Sequence, residues 1–150
     1  MSSYGFILTT FLIQNILLAF SSPQLESIYN QISPSTVLVQ YSSEITNQIT
    51  GETSRRDGSA LGLIVSSDGL VMVPGFVEVE NVSSFNFRVR LNIKGEEKEF
   101  NAIKLRKPDD LNVAFLKINN EESFKFPFVQ FSDEPQVRVG SMVAIIGVLG

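Results

Sequence analysis

Apolar residues are spread along this chain in two different ways. Phe6 to Phe20, FILTTFLIQNILLAF, is a nearly continuous apolar run, broken only by Thr9, Thr10, Gln14 and Asn15. A polar stretch from Ser22 to Ser35 follows, with room for one short helix around Gln24–Gln31. Beyond it the apolar positions come in short runs, mostly with a period of two, the repeat of a half-buried strand. Candidate strands are Val37–Tyr41, Leu61–Val65, Leu70–Val73, Phe85–Ile93, Phe100–Leu105, Val113–Ile118, Val129–Phe131 and Ser141–Val148. The clearest alternation puts Phe85, Phe87, Val89, Leu91 and Ile93 on one face and Asn86, Arg88, Arg90 and Asn92 on the other. Asp68-Gly69 between two apolar runs predicts a tight hairpin, because both residues tolerate positive φ. Pro74-Gly75 ends the return strand, since proline has no N–H for the ladder. Lys94-Gly95-Glu96 turns the chain again, and the polar segment Ser42–Gly58 predicts a long loop. Short strands at this spacing predict an all-β sandwich or barrel, with no internal repeat.

Composition narrows the chemistry. With 150 residues, 43% of them hydrophobic, the chain can form one domain with a core. Twelve Lys and Arg against sixteen Asp and Glu leave a net charge of −4, which argues against a dedicated nucleic-acid binder. There is no cysteine, hence no disulfide, thiolate nucleophile or cysteine-based zinc site. There is also no histidine, which removes the commonest general base and the commonest transition-metal ligand together. No cofactor or metal site is implied.

Met1 to Leu25 carries no charged side chain. As a helix the run Phe6–Phe20 spans roughly 22 Å, short for a bilayer crossing. It suits the core of a secretory signal, and Ala19-Phe20-Ser21 supplies small residues at the positions a signal peptidase reads. The expected organisation is a signal peptide over 1–21, a linker or short helix over 22–35 and one domain over 36–150. The lack of Lys or Arg before the run keeps an uncleaved membrane anchor and a buried helix open as alternatives. A cleaved signal places the domain outside the cytoplasm, and the absence of cysteine favours a bacterial envelope.

Four segments, in order, resemble the first β-barrel of trypsin-like serine peptidases of the HtrA/DegP-like branch. They are Leu61-Gly62-Leu63-Ile64-Val65-Ser66-Ser67-Asp68-Gly69-Leu70-Val71-Met72-Val73, the alternating strand to Ile93 with Lys94-Gly95 and Phe100-Asn101-Ala102, Asn112-Val113-Ala114-Phe115-Leu116-Lys117-Ile118, and Phe131-Ser132-Asp133 with Val137 to Gly147. The resemblance covers about Ser33 to Gly150 and implies a six-stranded Greek-key barrel, preceded by the N-terminal hydrophobic helix or signal segment. It also implies a triad of hydroxyl nucleophile, histidine base and orienting carboxylate.

The chain departs from that triad. The histidine position falls on Phe76, which has no lone pair to accept a proton. The carboxylate position falls on Asn112, whose amide carries no charge; Asp110, two residues upstream, is a fallback. The nucleophile turn of the family belongs to a second barrel, and Ser141–Val148 corresponds to that barrel's first strand. The expected function is therefore a catalytically inactive or truncated peptidase domain that binds peptide or unfolded protein, or acts as a scaffold. A second barrel or a homo-oligomer partner would cover Ser141 to Val148. Two alternatives remain: the N-terminal fragment of a serine endopeptidase whose nucleophile lies beyond residue 150, and an unrelated β-rich envelope protein.

Weaker constellations read more simply. Glu78 and Glu80 are an alternate pair of carboxylates without partner groups for acid–base work. Glu96, Glu97 and Glu99 make an acidic hairpin tip, and Arg88 with Arg90 could hold an anion but read as solvent-facing charge. Asn81-Val82-Ser83 is a glycosylation sequon only in a eukaryotic secretory route. Phe124, Phe126, Phe128 and Phe131 read as core and plug.

Overall fold

The computed structural model describes residues 23–77, 82–105, 107–121, 124–133, 137–141 and 143–147. The expected signal segment, Glu78, Glu80 and Asn81 lie outside the described residues. The chain divides into two compact units, residues 1–31 and 32–150. The described part of the first is essentially one helix, α1 (Pro23–Ile32), where a short helix is expected. Proline stands at its first position, where a missing N–H costs nothing, and Glu26 sits in the first turn, favourable to the helix dipole. Among the described residues no helix is long and apolar enough to cross a membrane.

The second unit opens with a short 3-10 helix, Ser33–Ser35, and continues as six antiparallel strands: β1 (Thr36–Thr46), β2 (Thr53–Ile64), β3 (Leu70–Pro74), β4 (Val82–Ile93), β5 (Glu96–Lys104) and β6 (Val113–Ile118). Their pairings close into a ring in the order β1-β2-β3-β6-β5-β4. Alternation decides what fills it. Val37 and Val39 of β1, Val71 and Val73 of β3, Phe87, Val89 and Leu91 of β4, and Ala114, Leu116 and Ile118 of β6 all point inward and are buried. β-Branched residues dominate because they pack well on a pleated surface. Phe126 follows β6 in extended chain, donates its amide to Ser67 O at 3.0 Å and is 3% exposed, a ring packed into the core.

Several sequence expectations need correction. Ser42–Gly58 is not a long loop: β1 and β2 continue through it as a ribbon, in register from Tyr41↔Gly58 to Thr46↔Thr53. Both faces of that ribbon are largely solvated, so no hydrophobic period marks it. Backbone pairing and polar contacts hold it instead, including Ser42 Oγ donating to Asp57 at 2.7 Å. The alternation of β4 also breaks at its start. Asn86 has φ 55°, and the β1 register shifts between Gln40 and Ser42. This irregularity turns Ser84 inward (7% exposed) and Phe85 outward, where the Arg55 guanidinium covers its ring at 4.9 Å.

The Asp68-Gly69 turn is wider than a two-residue hairpin. Only Gly69 has positive φ, Val65 N donates to Leu70 O at 2.8 Å, and Ser66 Oγ accepts from Leu70 N at 3.1 Å while donating to Asp68. The two-residue geometry appears at Lys94-Gly95, with φ 54° and 89°, inside the pair Ile93↔Glu96. Val129–Phe131 and the described part of Ser141–Val148 form no strand; Val129 N reaches Ile64 O at 3.0 Å without a ladder. Phe128 and Phe131 are exposed, so only Phe126 and the half-buried Phe124 serve the core.

Candidate functional site

The two triad positions that the resemblance assigns within the described residues, Phe76 and Asn112, lie where β3 ends and β6 begins. The β3–β6 register runs to Pro74↔Val113. One step further, Gly75 N donates to Asn112 O at 2.9 Å. Gly75 then opens a single 3-10 turn, Gly75–Val77, because Pro74 has ended the strand. The absence of a side chain at Gly75 is what permits this approach. A Cβ there would stand 2.7 Å from the Asn112 carbonyl carbon and 3.0 Å from its oxygen, and would overlap the side-chain amide oxygen.

The structure thus brings Asn112 against the residue that precedes Phe76. Val77 is buried and anchors the turn, whereas Phe76 is 59% exposed. Leu111, next to Asn112, is also exposed. Asp110 lies in the exposed turn before Leu111. Phe76 and Leu111 are thus exposed apolar residues on the two segments that flank the Gly75–Asn112 contact. No group in the Phe76–Asn112 pair can take up a proton near neutrality. Among the described residues, no cluster of three His, Cys, Asp or Glu could hold a metal ion.

Four of the other charged candidates pair across strands. Arg88 faces Glu99 at 3.6 Å, and Arg90 contacts Glu97 and, at 3.7 Å, Glu99. Each arginine is the counterion of the acidic hairpin, which sequence alone left as two separate features.

A feature that sequence reading missed stands at the opposite end of the same two strands. Lys117 Nζ meets Asp68 Oδ2 at 2.5 Å. That ammonium, followed by the Ser66 hydroxyl, holds the Asp68 carboxyl below its usual value of 3.8. A lysine at an outward position of β6 and the aspartate of a turn carried the signal, but only the β3–β6 pairing joins them.

No protein-family model matches the chain. Over 86 residues it is 33% identical to a curated protein of Rickettsia prowazekii (strain Madrid E) described as a probable periplasmic serine endoprotease, DegP-like; the match takes in 57% of this chain and 15% of that protein. The fold is similar to that of the HtrA-type protease AlgW solved with a decapeptide, with a TM-score of 0.57 and 14% identity, over 75% of this chain and 37% of that one. The MamO protease domain from Magnetospirillum magneticum aligns at a TM-score of 0.42 and 19% identity, over 65% of this chain and 44% of that one, too low a score to bear on the fold. The chain spans less than half the length of each of these relatives. In sequence and in fold it resembles part of an HtrA-type, trypsin-like peptidase.

Proposed function

We propose that this chain is a non-catalytic module of HtrA-like design that binds extended peptide or unfolded protein without cleaving it. The closed ring of strands reads as the Greek-key first barrel of that family, and the Phe76–Asn112 surface as its degenerate catalytic corner. One observation carries the proposal: the turn bonded to Asn112 exposes Phe76, the residue that the family resemblance aligns with the base, and the sequence contains no histidine. A triad acts as a unit, so losing the base and the charge of its orienting partner removes nearly all of the rate enhancement it provides. The same substitution supplies apolar surface, which favours contact with the side chains of an unfolded segment. The apolar N-terminal run and the periplasmic description of the Rickettsia relative support a location outside the cytoplasm.

The test uses fluorescent casein. The expected result is no cleavage, no labelling by a fluorophosphonate, and saturable binding that Phe76→Asp abolishes while thermal stability is unchanged. Cleavage by the purified chain that is lost in Phe76→Ala or Asn112→Ala overturns the reading. That outcome supports instead a serine peptidase, the activity given in the description of the Rickettsia relative.

A further inference from the structure

The end of β3 and β6 remote from Phe76 carries a concave site. A cleft of about 710 Å³ opens beside the Asp68–Lys117 pair. Its volume is in the range of small-molecule pockets. Ile103 of β5 stands opposite Lys117 in the β5–β6 register and is 62% exposed. Phe124 forms a second apolar wall. Its backbone is latched on both sides by one side chain: Asn120 Oδ1 accepts from Phe124 N at 2.8 Å, and Asn120 Nδ2 donates to Phe124 O at 2.7 Å. Its ring packs edge-on against Phe126 at 5.0 Å, so the wall is braced by the core.

Among the described residues lining the cleft, Lys117 and Lys125 are the cations and Asp68 the anion, two ammonium groups against one carboxylate. Asp68 is already committed to Lys117 and Ser66. Asn119, also in the lining, holds the neighbouring Glu121 carboxylate through its amide at 3.1 Å. A second ammonium beside the Asp68–Lys117 pair, flanked by two apolar walls, matches a singly charged anion on an apolar stem better than a phosphate dianion, which calls for several donors.

We propose that this cleft binds a carboxylate carried on a short apolar group. The carboxylate lies at Lys125 and the adjacent Lys117, and the stem lies on Ile103 and Phe124. This site is independent of the Phe76 surface. The chemistry is shared by medium-chain acyl carboxylates and by the free C-terminus of a chain ending in an aliphatic residue.

Amide-resolved NMR titration of the intact chain tests it, with octanoate and N-acetyl-leucine as probes and acetate and octanamide as controls. Octanoate or N-acetyl-leucine is expected to shift amides of Ile103, Lys117–Asn120 and Phe124–Lys125. Acetate, lacking the stem, and octanamide, lacking the charge, are expected to bind at least about tenfold more weakly. Lys125→Gln, at an exposed position, should weaken octanoate binding about tenfold with unchanged melting temperature. Ile103→Thr, which keeps strand preference, should weaken it as well. Tighter octanoate binding identifies an acyl source, and tighter N-acetyl-leucine binding a chain terminus. The proposal is overturned if octanamide binds as well as octanoate, if the shifts map elsewhere or are absent up to about 10 mM, or if folded Lys125→Gln binds like the parent.

Discussion

Gly75→Ala is the most direct probe of the corner that joins β3 to β6. Gly75 is buried and gives its amide to Asn112 O at 2.9 Å. An added methyl meets the Asn112 carbonyl carbon at 2.7 Å and its oxygen at 3.0 Å, and these are backbone atoms that cannot rotate away. Overpacking of this kind costs about 1–3 kcal/mol. Relieving it by separating the strands sacrifices one backbone hydrogen bond, about 1 kcal/mol more. The expected loss is therefore about 2–4 kcal/mol, a fall of about 1–2 M in the urea midpoint at a typical slope. Urea unfolding followed by far-UV circular dichroism measures it. A double variant separates the causes. Asn112→Ala removes the overlapping side-chain oxygen but leaves the backbone contacts, so Gly75→Ala with Asn112→Ala should recover less than half of the loss. A Gly75→Ala midpoint within about 0.3 M of the parent, or full recovery in the double variant, refutes the close-packed corner.

Leu116→Ala should cost about 2.5–5 kcal/mol, because Leu116 is fully buried at the centre of the ring; calorimetry reads the lower melting temperature. Arg90→Ala should change stability by less than about 1 kcal/mol, and the change should shrink further in 1 M salt, because its pairs with Glu97 and Glu99 are exposed to solvent. Asp68 is held below 3.8, so the unfolded chain binds its proton first on acidification. The stability it contributes is present above that value and lost as pH falls through the lowered one. Melting temperature should therefore drop more steeply below pH 4 in the parent than in Asp68→Asn, and parallel curves would contradict the Lys117–Asp68 contact.

How much of this was legible beforehand depended on whether the determining interaction is local. The inward face of Phe87, Val89 and Leu91 was readable because strand alternation is a property of the chain itself. The Lys94-Gly95 turn was readable because glycine adopts positive φ without a steric penalty. The absence of an imidazole, and with it of the commonest general base, is a matter of composition alone. The β1–β2 ribbon was not readable: its stability lies in backbone pairing from Thr46↔Thr53 inward, and polar strands solvated on both faces leave no hydrophobic period. Nor was the exchange of Ser84 for Phe85, which follows from a register irregularity between β4 and β1. Ser141 and Val143–Ile146 carry a strand-like sequence and form no strand, since a strand exists only with a partner to hydrogen-bond.

The sequence by itself determined a mostly β chain, its clearest buried face and a chemistry without a histidine base. Tertiary structure alone decided that β1 meets β4 and β3 meets β6. Those pairings place Asn112 on Gly75 and Lys117 on Asp68. The residues concerned are dozens of positions apart, and whether they meet is set by closing a ring of hydrogen bonds around one apolar core, which no local pattern encodes.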